Sequence, residues 1–162
     1  MILVRHAKSS WSEVGISDSE RALNARGRRD APAMGRWLLG SGWLPDLWIS
    51  SDARRAKDTA LAMMQAAGQT QVELTLVPSL YHASQDIILE YIGGLPSVAE
   101  RVLLIGHNPG LTYINRSLGF KSLENLPTCG LVVWQGSGWA GIAAGKARYV
   151  THQFPRMLDF KE

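Results

Sequence analysis

Arg5 and His6 follow the apolar run Met1-Ile2-Leu3-Val4, so a guanidinium and an imidazole share the end of what reads as a buried strand. A second apolar run, Val102-Leu103-Leu104-Ile105, ends in Gly106-His107-Asn108-Pro109. A third, Leu47-Trp48-Ile49-Ser50-Ser51, leads into Asp52-Ala53-Arg54-Arg55. In an open α/β sheet, ligands bind outside the carboxyl ends of parallel strands. Two imidazoles and several guanidinium groups meeting there describe a site for phosphate, and for moving phosphate.

The residue types suit that chemistry individually. A neutral imidazole attacks phosphorus well and leaves moderately well, so a phosphohistidine at His6 divides one displacement into two easier steps. The ordinary imidazole pKa is about 6.5, and a neighbouring guanidinium lowers it and keeps the lone pair available. Arg5 is placed to do this while binding phosphoryl oxygens. Arg54 and Arg55 fall in the first turn of a helix, where cations oppose the macrodipole at about 0.3–1 kcal/mol each. An anion bound at that helix N-terminus reconciles their presence. His107, if protonated, donates to a non-bridging oxygen. Gly106 permits close backbone approach, and Pro109 restricts Asn108 to extended geometry.

Other uses of these residues fit the sequence less well. His6, His82 and His107 are a candidate zinc set, but Arg5 beside His6 repels a metal and no ligand-spacing motif such as HExxH occurs. No metal or other cofactor is expected. The single cysteine, Cys129, reads as a small buried apolar residue, not a nucleophile. Of the six tryptophans, Trp11, in the polar loop after His6, is the candidate for lining the site.

The elements that must position these groups alternate strand and helix, which argues for a layered α/β fold with a mostly parallel sheet. Strands are expected over 1–5, 46–50, 72–77, 101–106, 129–134 and 147–152, and helices over 25–40, 53–67, 84–92 and 110–119. Ala53, Ala56, Ala60, Met63, Met64 and Ala67 form one apolar stripe, with Ser51 or Asp52 as the N-cap. Pro32 is expected to kink the first helix or mark its true start, with Asp30 as cap. Residues 135–141 read as a turn-rich link between two edge strands.

The chain's 162 residues fit one domain, 1–162, long enough to bury roughly 70% of its unfolded surface. With 46% hydrophobic and 19% charged residues it has the composition of a soluble globular protein. A net charge of +3 without a dense Lys/Arg run gives nucleic-acid binding little support and suits an acidic substrate or partner. No apolar stretch approaches the roughly 20 residues that span a bilayer, so no membrane partner is expected. The early Arg5 argues against a signal peptide, and a lone cysteine fits a reducing compartment. Cytoplasm is the expected location.

Taken together, these segments resemble the histidine phosphatase superfamily, also called phosphoglycerate-mutase-like. Leu3-Val4-Arg5-His6-Ala7 resembles its RHG/RHA signature, and Ser50-Ser51-Asp52-Ala53-Arg54-Arg55-Ala56-Lys57-Asp58-Thr59-Ala60 is similar to its second motif. Ile105-Gly106-His107-Asn108-Pro109 resembles the segment carrying the second histidine, and Asp18-Ser19-Glu20-Arg21-Ala22-Leu23 with Gly27 the early loop. The resemblance implies a three-layer α/β/α fold with a mostly parallel sheet of about six strands. It implies that His6 is phosphorylated and that Arg5, Arg55 and His107 complete the phosphate pocket. Arg21 and Asn108, on the matched segments, are further candidate phosphate contacts.

Within the superfamily the nearest likeness is the short SixA-like phosphohistidine phosphatase branch, on Arg26-Gly27-Arg28-Arg29-Asp30-Ala31-Pro32 and the compact length. Larger members carry a Glu or Asp general acid where Leu80-Tyr81-His82-Ala83 stands here. His82 is therefore the candidate proton donor, Asp86 being a first-turn helix residue. A positioned acid accelerates phosphate-ester cleavage by about 10²–10⁴-fold. Phosphohistidine has less need of one, because imidazole protonated on its other nitrogen is a good leaving group. The segment between Arg55 and His107 is filled by helix, strand and helix, leaving no room for a large lid. The leading expectation is a metal-independent phosphatase acting on a phosphorylated protein, such as a histidine phosphotransfer domain. Alternatives are a phosphomonoesterase for a small phosphorylated substrate and a non-catalytic phosphoprotein-binding module.

Overall fold

A computed structural model describes residues 1–158. Six strands form one sheet: β1 (Ile2–Arg5), β2 (Leu47–Ser50), β3 (Leu74–Leu76), β4 (Val102–Gly106), β5 (Leu131–Gln135) and β6 (Arg148–Gln153). Five α-helices connect them: α1 (Ala25–Ser41), α2 (Arg54–Ala66), α3 (Gln85–Gly93), α4 (Gly110–Ser117) and α5 (Trp139–Ala143). The strand order is β3-β2-β4-β1-β5-β6. β3, β2, β4 and β1 run parallel, and β5 and β6 are antiparallel to their neighbours.

The period of two along each strand divides the apolar residues between the two faces. Ile2, Val4, Leu103, Ile105, Leu131 and Val133 pack with Met34 and Leu38 of α1 and Ala56, Ala60 and Met63 of α2. Leu3, Val102, Leu104, Val132 and Trp134 face the opposite way, against Ile88 and Ile92 of α3, Leu111 and Ile114 of α4, and Ile142 of α5. Both faces are covered, which is why β1 and β4 read as continuous apolar runs without alternation. The result is a three-layer, mostly parallel α/β fold.

The register sets the site. Arg5 lies level with Gly106, and Ser50 level with Ile105. The carboxyl ends of β1, β4 and β2 therefore finish side by side, and the residues after each strand enter one crevice.

Several local expectations are corrected. α1 covers the expected 25–40 range, but Pro32 does not mark its start: Asn24 caps the helix, its side chain accepting from Gly27 N at 3.0 Å, and Pro32 lies inside. The helix survives the lost hydrogen bond because it is clamped on α2, where a Cβ on Gly35 would come within 2.3 Å of Met63 O. Asp30 is not a cap but a fully buried carboxylate paired with Arg26 and Arg29. Neither Ser51 nor Asp52 is the N-cap of α2, whose cap position is Ala53; Ser51 Oγ accepts from Ala53 N at 3.3 Å. The link between β5 and β6 carries the short helix α5, because Trp139 and Ile142 supply it with a buried face. The fifth strand starts at 131, two residues late, because Cys129 has φ +60° and turns the chain.

Candidate active site

Arg5, His6, Lys8, Ser9, Trp11, Asp18, Arg21, Arg55, His82, His107, Asn108 and Thr128 line one cavity of about 270 Å³ at these strand ends. The site residues read from the sequence are thus brought together.

His6 is anchored on both sides. Its backbone N–H donates to Gly106 O at 3.0 Å, tying the end of β1 to the end of β4. Its Nδ1 lies 2.8 Å from the Ala7 carbonyl, which can only accept, so Nδ1 carries the proton. The lone pair is therefore on Nε2, which accepts from Arg55 Nε at 3.3 Å. The Ala7 peptide is itself held: its N–H donates to Thr59 Oγ1 at 2.9 Å, and Thr59 Oγ1 donates to Arg55 O at 2.6 Å. Burial first, then the charges of Arg55, Arg5 and Arg21, push His6 down to about 3. The imidazole is neutral at any ordinary pH.

Arg55, on the first turn of α2, is 1% exposed and points into the cavity. Arg54 points away, half-exposed, 3.7 Å from Asp58. Arg55 Nη1 donates to Asp18 O at 2.6 Å and Nη2 to Asp18 Oδ2 at 2.9 Å. Arg5 Nη1 donates to Leu126 O at 2.8 Å, while its buried Nε has no hydrogen-bond partner among the described residues. Arg21 donates from Nε to Asp18 Oδ1 and from Nη1 to Ser10 O, and its guanidinium carbon sits 3.6 Å from the Trp11 ring centre. Trp11 is 75% exposed and forms the rim.

His107 lies across from His6, ring centres 5.1 Å apart. Its Nε2 is 2.8 Å from Ser51 Oγ and its Nδ1 is 3.5 Å from Arg55 Nη2. A nitrogen facing a guanidinium must accept, so Nδ1 bears the lone pair and Nε2 the proton. Burial, followed by the charges of His6 and Arg55, lowers its pKa to about 2. The protonated His107 of the sequence reading is therefore not the form the protein alone favours. Cation neighbours and burial outweigh the nearby Asp18 carboxylate.

His82 reaches the cavity from a backbone with φ +49°, a region His tolerates better than most residues. Its ring is 5.0 Å from that of His107, and Nε2 is 3.1 Å from Asp18 Oδ2. Asn108 lines the cavity, but its amide NH₂ donates to Asn125 Oδ1 and Leu126 O, so those donors serve the 125–126 loop. Cys129 is buried behind the site, its thiol pushed up by burial.

Sequence reasoning missed three contributors. Ser51 orients His107 and Thr59 orients the His6–Ala7 peptide, although both stand inside a quoted motif. Asp18 gathers Arg55, Arg21, Tyr81 and His82. Asp18 also stands in a quoted segment, Asp18-Ser19-Glu20-Arg21-Ala22-Leu23, but nothing in that segment distinguishes it from Glu20.

A mostly parallel α/β sheet with paired histidines and arginines at its carboxyl edge defines the phosphoglycerate-mutase-like class. Residues 1–81 match the model of the histidine phosphatase superfamily (branch 1). An uncharacterized chloroplastic protein of Arabidopsis thaliana is 32% identical over 152 residues, covering 86% of this chain and 68% of that one. The chain belongs to the histidine phosphatase superfamily, and with it to the phosphatase-type hydrolases. A candidate phosphohistidine phosphatase SixA of Agrobacterium tumefaciens has a similar structure, with a TM-score of 0.83 and 26% identity over 95% of this chain and 96% of that one. The protein histidine phosphatase SixA complexed with tungstate shares the fold at 19% identity and a TM-score of 0.82, over 96% of this chain and 97% of that one. Among the described residues no helix is long and apolar enough to cross a membrane.

Proposed function

We propose that the chain is a metal-independent phosphatase that removes phosphate from protein phosphohistidine through a phosphohistidine on its own His6. The observation that carries this reading is the tautomer of His6: the Ala7 carbonyl holds Nδ1–H and leaves the Nε2 lone pair inside a cavity lined by Arg5, Arg21 and Arg55. A positioned, neutral nucleophile among cations is what phosphoryl transfer requires.

In the first step His6 Nε2 forms a bond to phosphorus as the bond to the substrate's imidazole nitrogen breaks. The electron pair stays on that imidazole, which leaves neutral because its other nitrogen already carries a proton. His6 then holds the phosphoryl group on Nε2 and keeps Nδ1–H on Ala7 O. In the second step water attacks phosphorus, the pair returns to His6 Nε2, and inorganic phosphate departs while the water's proton passes to solvent.

Arg5, Arg21 and Arg55 hold the phosphoryl oxygens. His107 donates an N–H to a phosphoryl oxygen once a phosphoryl dianion opposes its lowered pKa and favours protonation at Nδ1. Asn108 acts indirectly, bracing the Leu126 carbonyl on which Arg5 also rests. The ring of guanidinium groups opposes a divalent cation, which supports a reaction without metal.

A protein substrate is supported by the open rim. Between α2 and β4 the chain forms only β3, α3 and short turns. An accessible pocket suits a side chain presented by a partner, such as a histidine phosphotransfer domain. The 26% likeness to the SixA candidate points the same way. The whole chain acts as one domain, and the buried lone Cys129 suits the cytoplasm.

A second reading, a phosphomonoesterase for a small metabolite, is favoured by one observation. His82, held by Asp18, faces the cavity where it can protonate an ester oxygen. A substrate panel separates the two, comparing a phosphorylated histidine phosphotransfer domain with sugar and nucleotide phosphates, with and without chelator. Higher kcat/KM on the phosphoprotein, unchanged by chelator, is expected. Higher kcat/KM on a metabolite favours the second reading, and chelator sensitivity contradicts the metal-free mechanism.

A further inference from the structure

Among the described residues, Asp18 is the one carboxylate that lines the cavity beside its cations. Asp18 Oδ2 accepts from Arg55 Nη2 at 2.9 Å, from the Tyr81 hydroxyl at 2.5 Å and from His82 Nε2 at 3.1 Å. Its Oδ1 accepts from Arg21 Nε at 3.0 Å, and its backbone carbonyl from Arg55 Nη1 at 2.6 Å. Arg55 Nε is committed to His6. The donors with which Arg55 can grip an oxyanion are thus shared with Asp18.

Arg5, Lys8, Arg21 and Arg55 all line this cavity. Four cations without a counter-charge would hold the phosphate product as tightly as the transition state, and binding both equally gives no gain in turnover. A fixed carboxylate lowers affinity for the free product while keeping the guanidinium groups aligned.

We propose that Asp18 is a positioning residue that sets the cavity's affinity for phosphate, holding Arg55 and Arg21 in place while competing with phosphate oxygens for the Arg55 Nη donors, so that inorganic phosphate is released. This rests on the reading of the cavity as a phosphate site. Asp18 remains ionised through neutral and mildly acidic pH. The Tyr81 hydroxyl first, then His82 and Arg55, hold its carboxyl well below the usual carboxylate range. The competition therefore operates wherever the enzyme works.

The test measures inorganic phosphate binding by titration calorimetry, with kcat and KM on a phosphohistidine protein, for wild type, Asp18→Asn and Asp18→Ser. Both variants are expected to bind inorganic phosphate about tenfold tighter, with kcat and KM falling together, because one negative charge beside the anion is gone. Tyr81→Phe is expected to move affinity the other way. A carboxylate relieved of one donor grips Arg55 harder and competes better.

Phosphate bound equally or more weakly by the two Asp18 variants overturns the proposal. If those variants do not fold, unchanged or tighter binding by Tyr81→Phe overturns it instead. Wild type that fails to bind inorganic phosphate defeats the phosphate-site reading itself, a result distinct from failure of the Asp18 proposal alone.

Discussion

Arg55 Nε lies 3.3 Å from His6 Nε2, so the guanidinium proposed to bind phosphate is in direct contact with the lone pair proposed to attack it. Arg55 is buried, and its fork also reaches His107 Nδ1 and Asp18. Replacing it by Ala removes about two charge-assisted hydrogen bonds of about 1.5–3 kcal/mol each, so kcat/KM is expected to fall about 10²–10⁴-fold. Arg55→Lys is expected to recover little, because a point charge cannot reproduce the fork. Steady-state kinetics on both variants checks this; near-wild-type activity in Arg55→Lys contradicts it.

Thr59 carries a subtler dependence. Its hydroxyl accepts from Ala7 N–H and donates to Arg55 O, clamping the peptide whose carbonyl fixes the His6 tautomer. Thr59→Val preserves shape but strands the buried Ala7 N–H, at a cost of about 1–3 kcal/mol. A lower urea midpoint is expected together with reduced kcat. Full kcat at a lowered midpoint would show that the clamp supports the fold alone.

His82 separates leaving groups. If it supplies a proton to ester oxygens, His82→Ala is expected to slow phosphomonoester cleavage by about 10²-fold or more. Phosphohistidine cleavage needs no such proton and is expected to change little. Equal losses on both substrate types, measured as kcat ratios, would remove His82 from the proton path.

The pH dependence of stability follows from the buried imidazoles. Burial pushes His6 down to about 3 and His107 down to about 2, against about 6.5 in the unfolded chain. Between these values the unfolded state binds protons that the folded state refuses. The stability the neutral imidazoles contribute is therefore complete above about pH 6.5 and is lost as pH falls toward their folded pKa values. Asp18, its pKa lowered, adds a separate loss only below about pH 4. Denaturant midpoints between about pH 7.5 and 4.5 are expected to decline less steeply in His107→Asn than in wild type. Parallel declines would show that His107 titrates normally.

Much of this was legible in the sequence, for identifiable reasons. β1, β2 and β4 are buried on both faces, so each is a continuous apolar run that stops where the cavity begins. That pattern located Arg5, His6, Arg55 and His107 and the crevice they share. Of the two roles open to Pro32, marking the start of the first helix fails because Asn24 starts that helix upstream and packing on α2 carries the proline. The His107 protonation state depends on how deeply the ring is buried, which the sequence does not reveal. Asp18 escaped because its importance lies in partners converging from two distant segments, Arg55 on one and Tyr81 with His82 on the other, and loop residues show no periodicity.

The central claim is covalent chemistry at His6. Wild-type protein mixed with phosphohistidine substrate, quenched within the first turnover and analysed by peptide mass spectrometry under alkaline conditions, tests it most directly. A phosphoryl group on His6, acid-labile and absent from His6→Ala, is the predicted result. Sustained turnover by His6→Ala, or a phosphoryl group found on another residue while His6 stays unmodified, would contradict the account.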